Sequence, residues 1–197
     1  IPSEVYRIRL HLSMRLNILP RVVDRLNSNT LQLYDKSKQY GPEYLSTKAQ
    51  QGYACPIDND LKYSLIADMD GLLFELNATC EMMTRLFGLL HSHVGCPIAE
   101  KQLGKAISVV VAQGGQDIVW FALLDKHRNF FMHEGTPYLA VDMTKAPYRL
   151  DLLIMKENIK TFTDPETFVA LSEISSIVQG FVRARSVLQK YLMSLFK

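Results

Sequence analysis

The sequence has no long hydrophobic run, few cysteines and little net charge, and each shortage excludes a class of protein. Its longest unbroken apolar stretch, Ile118 to Leu124, is far shorter than the roughly 20 residues of a membrane-spanning helix. The three cysteines are odd in number and widely spaced, which favours reduced thiols in a cytoplasmic compartment over a disulfide framework. The net charge of +2 does not indicate a nonspecific nucleic-acid binder. We therefore expect a soluble cytoplasmic protein with no membrane span.

Common catalytic and cofactor-binding motifs are missing as well. The sequence has no Gly-x-Ser-x-Gly nucleophile motif, and the glycine pair in 113–116 lacks the Lys-Ser/Thr of a phosphate-binding loop. His91, His93 and Cys96 are metal-ligating residue types. However, two histidines at i and i+2 of a helix point about 200° apart, and no further ligand follows at a recognisable spacing. The sequence therefore predicts no cofactor and no metal.

Hydrophobic periodicity predicts that most of the chain is helical. Apolar side chains recur every three or four positions over 59–93, which indicates a helix of about nine turns that ends before Gly95. A second helix is predicted over 116–133, with Gly135 as its stop signal. The first forty residues fit both helical and strand spacing, and we expect a helix that Pro20 kinks or restarts.

The remaining segments predict a loop, a hairpin and a final helix. Glycines and prolines in 41–58 are typical of a loop. Two short, partly alternating stretches between residues 138 and 154 predict a β-hairpin. The final helix is expected to have Thr163 or Asp164 as its N-cap and Pro165 at its first position.

Together these elements predict the fold class. We expect a mainly α-helical protein, an up-and-down bundle of four to five helices with a β-hairpin appended around residues 138–154. The length fits one domain, 1–197. Its N-terminal helix and loop, 1–57, receive no assigned role.

One stretch, DKHRNFFMHEG at 125–135, concentrates residues that can carry chemistry. Within it, Arg128-Asn129-Phe130-Phe131-Met132-His133 resembles the motif of the HEPN superfamily (higher eukaryotes and prokaryotes nucleotide-binding). These small helical domains are marked by arginine, usually a polar residue next, and histidine after four to six intervening positions. The helical layout and the position of the motif near a helix end add to the resemblance.

A second segment, Arg85 to His91, also fits the arginine–histidine spacing of this motif. Arg85, however, is followed by Leu86 on a helix that has a core to form, whereas Arg128 is followed by the polar Asn129. We therefore assign the motif to Arg128, Asn129 and His133.

The resemblance implies a function. Active HEPN proteins are metal-independent endoribonucleases that build their cleft across a two-fold dimer interface. By this resemblance His133 would move protons, Arg128 would stabilise charge on the phosphoryl oxygens, and Asn129 would orient the histidine or the phosphate. The expected partners are a second copy of the chain and RNA or a nucleotide, with a toxin or defence role and an unidentified protein antitoxin as further expectations.

Helical geometry adds one expectation about the motif. Asn129 and His133 lie at i and i+4 and share a face, while Arg128 lies about 140° round the helix from His133. Phe130, Phe131 and Met132 are expected to face the core or a partner chain. Two alternatives stay open: a non-catalytic HEPN-like nucleotide- or RNA-binding or helical dimerisation module, and an unrelated helical bundle with a chance motif.

Overall fold

The computed structural model describes residues 3–37, 39, 54–56, 58–133, 138–142, 151–155, 164 and 167–196. The helices within these ranges are α1 (Ser3–Ser37), α2 (Asn59–His93), α3 (Leu103–Gln113), α4 (Val119–His133) and α5 (Leu171–Ser194). A 3₁₀ turn, Glu100–Gln102, precedes α3. The strands are β1 (Ala54–Pro56), β2 (Tyr138–Asp142), β3 (Asp151–Met155) and β4 (Phe168–Ala170). The predicted fold class, mainly helical with a small antiparallel sheet, is confirmed.

The end of α2 shows why its predicted boundary is correct. Gly95 has a φ of +81°, a conformation that favours glycine because it has no Cβ. The Cys96 N–H donates to the His91 carbonyl at 3.0 Å, and the Gly95 N–H donates to the Ser92 carbonyl at 3.2 Å. This pair of bonds is the Schellman motif, which satisfies carbonyls that the helix end would otherwise leave open.

The N-terminal helix differs from the expectation at Pro20. Helix α1 runs unbroken from Ser3 to Ser37 with Pro20 inside it, so the helix does not restart at Pro20, while the alternative of a kink stays a prediction. Proline removes one helical N–H donor, but the apolar neighbours Leu19 and Val22 are both buried. Burial of these side chains keeps both flanking segments helical.

The sheet is larger than the predicted hairpin. Strands β2 and β3 pair antiparallel with Tyr138 opposite Met155 and Asp142 opposite Asp151, which confirms the hairpin, although its turn lies outside the described residues. Strand β1 pairs with β2, and β4 pairs with β3, so the order is β1-β2-β3-β4. Strand β1 lies in the segment that we expected to be a loop.

The predicted start of the final helix is also wrong. Helix α5 begins at Leu171, and Phe168–Ala170 form β4 instead. Pairing with β3 satisfies the backbone of this segment, and Val169 is buried. The pairing with β3 and the burial of Val169 stabilise this segment as a strand, so the helix does not begin at the predicted cap Asp164. Thr163 and Pro165 lie outside the described residues.

Two smaller differences concern α3 and α4. The sequence pattern did not predict helix α3. Helix α4 begins at Val119 rather than residue 116, because the Asp117 carboxylate accepts a hydrogen bond from the Val119 N–H at 3.0 Å. Such an acceptor fixes the first turn of a helix.

The chain divides into two compact units, and α1, α2, α4 and α5 each contribute residues to both. The first unit comprises Ile1–Arg21, Leu73–Asp125 and Ser176–Lys197, and the second comprises Val22–Leu72 and Lys126–Ser175. The assignment of the whole chain to one HEPN-like domain stays a prediction. None of the described helices is both long and apolar enough to cross a membrane.

In the first unit, α1 and α2 run antiparallel. Arg15 Nη1 donates to Glu75 Oε2 at 2.7 Å, and Arg85 forms an ion pair with Glu4. The buried apolar side chains of this unit include Leu73, Leu76, Phe87, Val111, Trp120, Leu124, Ile177, Phe181 and Leu188.

In the second unit, both the helical segments and the sheet contribute buried apolar side chains. Its buried apolar side chains include Leu26, Leu33, Leu61, Leu65, Met69, Leu72, Phe130, Val141, Leu152, Leu153, Ile154, Val169 and Ile174. Asp68 of α2 is buried with them, and it forms an ion pair with Arg25 and accepts a hydrogen bond from Asn29 at 2.6 Å. Of the segment from Arg128 to His133, Phe130 is the buried residue.

Candidate functional site at the end of helix α4

The last residues of α4, from Lys126 to His133, belong to the second unit. Phe130 is buried in the core, and its ring meets that of Phe131 edge-on at a centroid distance of 5.4 Å. Met132 is 57% exposed. The expectation that all three apolar residues face the core or a partner therefore holds for Phe130 within this chain, while Met132 is turned away from the core.

Arg128 and Asn129 lie together on the half-buried side of α4. Arg128 Nη2 donates a hydrogen bond to Asn129 Oδ1 at 3.2 Å. The two side chains are partly buried, so the guanidinium retains access to solvent. The structure thus brings together two of the three residues of the motif.

His133 is the last residue of α4, and its side chain is exposed. Among the described residues, no hydrogen bond or ion pair joins His133 to Arg128 or Asn129. Because α4 remains helical up to His133, Arg128 and His133 project about 140° apart around the helix axis. Gly135, the predicted stop signal, lies outside the described residues.

A second histidine in this stretch, His127, was not identified from the sequence. Its imidazole is only 2% exposed, and its Nε2 lies 3.5 Å from Glu173 Oε2 in the first turn of α5. A histidine beside a carboxylate is a proton-transfer pair, but burial keeps a polymeric substrate away from this one.

The sequence does contain a signal for the burial of His127. This residue lies three positions after Leu124 and three before Phe130, both of which are buried. Its position is therefore that of a core residue on an amphipathic helix. The exposed His133 remains the better candidate for contact with a substrate.

The alternative motif from Arg85 to His91 belongs to the packing of the first unit. Arg85 forms an ion pair with Glu4. His91 is buried, its Nε2 lies 3.1 Å from the Tyr191 hydroxyl, and its ring centroid lies 4.5 Å from that of Phe87. Both side chains therefore have structural partners.

Metal-ligating side chains do not converge in the described part of the chain. No group of three or more His, Cys, Asp or Glu side chains that could hold a metal ion occurs there. His91 is buried whereas His93 and Cys96 are exposed, so the three candidate ligands near the end of α2 do not share one environment.

Comparison with known proteins yields no relative: no family model matches the chain, and neither the curated proteins nor the solved structures contain a significant match. The resemblance to the HEPN superfamily therefore rests on the motif from Arg128 to His133 and on its place in a helical fold.

Proposed function

We propose that this protein is a homodimeric, metal-independent endoribonuclease of HEPN type, with Arg128, Asn129 and His133 as its site. The observation that carries the proposal is the exposed imidazole of His133 at the last residue of α4, close in sequence to the hydrogen-bonded pair Arg128–Asn129. A toxin or defence role in the cytoplasm, with a protein antitoxin as partner, belongs to the same proposal.

The reaction needs the residue types that the motif supplies. The RNA 2′-oxygen attacks the adjacent phosphorus, the 2′-hydroxyl proton passes to a base, and the 5′-oxygen leaves with a proton. The products are a 2′,3′-cyclic phosphate and a 5′-hydroxyl end. His133 would transfer protons, and Arg128 would bind the phosphoryl oxygens through its planar, permanently charged fork.

The separation of Arg128 and His133 around α4 supports a site completed by two copies of the chain. A guanidinium and an imidazole that point about 140° apart do not stack directly on each other from the same helix. In a two-fold dimer, Arg128 of one copy would face His133 of the other. Two such sites would also concentrate positive charge, which favours RNA binding despite a net charge of +2.

The first experiment is cleavage of a labelled single-stranded RNA by purified protein in the presence of a chelator. We expect cleavage with a 2′,3′-cyclic phosphate product, and none of a DNA of the same sequence, which lacks the nucleophile. His133→Ala and Arg128→Ala should each lower the rate roughly 100-fold or more. His93→Ala and Arg183→Ala alter exposed residues outside the motif and should leave it unchanged.

The second experiment tests the shared site by mixing the two inactive variants. If the site combines Arg128 of one copy with His133 of the other, a heterodimer of Arg128→Ala and His133→Ala contains one intact site. Activity should then reappear on mixing. Absence of cleavage by the unmodified protein, or cleavage by both variants at the rate of the unmodified protein, contradicts the proposed catalysis.

A second candidate function is a non-catalytic nucleotide- or RNA-binding or dimerisation module. The observation that favours it is the use of the Arg128 guanidinium to bond its own neighbour Asn129, with His133 joined to neither among the described residues. RNA that binds with a salt-dependent affinity but is recovered intact after long incubation would select this candidate.

A further inference from the structure

The first unit contains an apolar cavity with a volume of about 250 Å³. Its walls come from α2, α3, the start of α4 and α5, and include Met83, Ile107, Trp120, Phe181, Arg185 and Leu188. Trp120 is 9% exposed, and Phe181 is buried. Apolar walls of this kind bind a ligand through the burial of its hydrocarbon surface.

Two nitrogen donors among the residues of this cavity wall lack a hydrogen-bond acceptor. Trp120 Nε1 and Arg185 Nε are buried and bond to no acceptor within the described residues. A buried donor without a partner costs about 1–3 kcal/mol, so such groups usually have an acceptor in the functional state. An apolar wall with donors but no matched acceptor suits a ligand with an apolar body and an oxygen-bearing head.

The charge of the cavity wall indicates which oxygen-bearing group the ligand carries. Arg185 is half-buried and is the only Lys, Arg, Asp or Glu residue of the wall among those described, so the wall carries one positive charge. In an apolar environment a guanidinium binds a carboxylate with charge-assisted hydrogen bonds, which are stronger than those to a neutral oxygen. A carboxylate is therefore favoured over an alcohol, and an amine is disfavoured.

The volume limits the ligand's size. An apolar cavity of about 150 Å³ holds benzene, so 250 Å³ leaves room for a carboxylate of about eight carbons. Arg185, Met83 and Leu188 also line a second apolar cavity of about 450 Å³ in the same unit.

We propose that the first unit binds a medium-chain monocarboxylate, with its carboxylate on Arg185 and its hydrocarbon chain in the cavity that Trp120 lines. This site includes none of the residues of the proposed ribonuclease site and does not depend on it.

The test is titration of the full-length protein with octanoate, 1-octanol and octylamine. Trp120 is the only tryptophan of the chain, so its fluorescence reports directly on the cavity, while calorimetry measures the affinity. Octanoate should bind saturably and at least tenfold more tightly than octanol, and octylamine should bind most weakly.

Variants then locate the carboxylate and the chain. Arg185→Gln should weaken octanoate binding at least tenfold but leave octanol binding nearly unchanged, and Ser108→Phe should abolish both by filling the cavity. Arg183→Gln is the matched control on the same helix, because its side chain is exposed and outside the cavity wall.

Circular dichroism checks the fold of each variant. The comparison of octanoate with octanol needs no variant, so it decides the question even if Arg185→Gln fails to fold. No saturable octanoate binding, equal affinity for octanol, or unchanged octanoate affinity in folded Arg185→Gln overturns the proposal.

Discussion

The indole of Trp120 packs directly on the backbone of Gly180 in the first unit. A Cβ added to Gly180 would lie 2.5 Å from Trp120 Cβ and closer still to Trp120 Cγ. Real Cβ atoms do not approach other carbons so closely, so Gly180 is the residue that lets helix α5 accept the indole. The same ring meets Phe181 edge-on at a centroid distance of 6.1 Å.

This packing predicts that Gly180→Ala destabilises the protein although alanine favours helices. The displaced indole should lower the free energy of unfolding by about 1–3 kcal/mol, the usual effect of overpacking. Gly71→Ala is the control, because nothing lies within 4 Å of its added Cβ, and it should raise stability by up to about 1 kcal/mol. Urea unfolding measures both, and equal shifts in the two variants would show that Trp120 does not restrain position 180.

The buried carboxylate of Asp68 gives a second prediction. Its side chain is almost inaccessible, and it binds the side chains of Arg25 and Asn29 from α1. Asp68→Ala should lower the free energy of unfolding by about 2 kcal/mol, because hydrogen bonds to a charged group contribute about 1.5–3 kcal/mol. The Arg25 guanidinium is largely exposed, so water solvates it after the change and limits the loss.

Asp70→Ala is the matched control for Asp68. Asp70 lies on the same helix but is exposed, and surface substitutions usually change stability by less than about 0.5 kcal/mol. Urea unfolding of both variants tests the comparison. A similar loss in both would mean that the Asp68 cluster contributes no more than an exposed carboxylate.

The contrast between α2 and the short strands shows what the sequence reveals of the fold. Helix α2 has an uninterrupted apolar stripe and a glycine at the position that a Schellman motif requires, so both ends were predicted correctly. Strands β1 and β4 have three residues each. A segment of that length has no measurable alternation, and it becomes a strand only because a partner strand lies beside it in the folded chain.

In the candidate site, too, some features follow from the local sequence and others depend on tertiary packing. The end of α4 at His133 follows from local pattern, and so does the angle between Arg128 and His133. The exposure of Met132 and the approach of Glu173 to His127 depend on elements distant in sequence. A spacing motif gives residue types on a helix, whereas their burial is decided by packing.

The two histidines of α4 lead to a third prediction, which distinguishes a histidine that stabilises the fold from one that is a candidate catalytic residue. His127→Ala should lower the free energy of unfolding by about 2–4 kcal/mol, because it leaves a cavity where a buried ring stood. His133→Ala should change stability by less than about 0.5 kcal/mol, because its ring is exposed. Thermal unfolding of the two variants provides the measurement, and a large loss in His133→Ala would give this histidine a structural role instead.

Cysteine reactivity provides a fourth prediction. Burial raises the pKa of the Cys80 thiol to about 12, and the nearby negative charge of Glu81 adds to the increase. Because the thiolate is the nucleophile, Cys80 should react with iodoacetamide at about pH 8 roughly three orders of magnitude more slowly than an ordinary thiol. Cys96 is exposed and should be labelled before Cys80.

Peptide mass spectrometry after timed labelling measures the two cysteine rates. The control is the same reaction in denaturing urea, where burial is lost and the two thiols should react at similar rates. Equal labelling of Cys80 and Cys96 in the folded protein would show that the interior around Cys80 opens readily.

The start of α2 leads to a fifth prediction, about pH. Asp58 pairs with Lys36 and also accepts a hydrogen bond from the Leu61 N–H at 3.1 Å, as an N-cap does. The hydrogen bond from Lys36, followed by that from Leu61, lowers the pKa of Asp58 below its ordinary value of 3.8. A lowered pKa means that the charged form stabilises the fold above 3.8 and that this contribution disappears as pH falls through the folded-state pKa.

Asp58→Asn isolates the charge, because asparagine is as good an N-cap as aspartate but forms no ion pair with Lys36. The variant should be slightly less stable than the unmodified protein at neutral pH, and the difference should shrink once the pH falls below 3.8. High salt should also reduce it, since both partners are exposed to solvent. Urea unfolding across this pH range measures the difference, with Asp70→Asn as the control for a general charge effect. A difference that stays constant from neutral to acidic pH would mean that the charge of Asp58 is not what stabilises the start of α2.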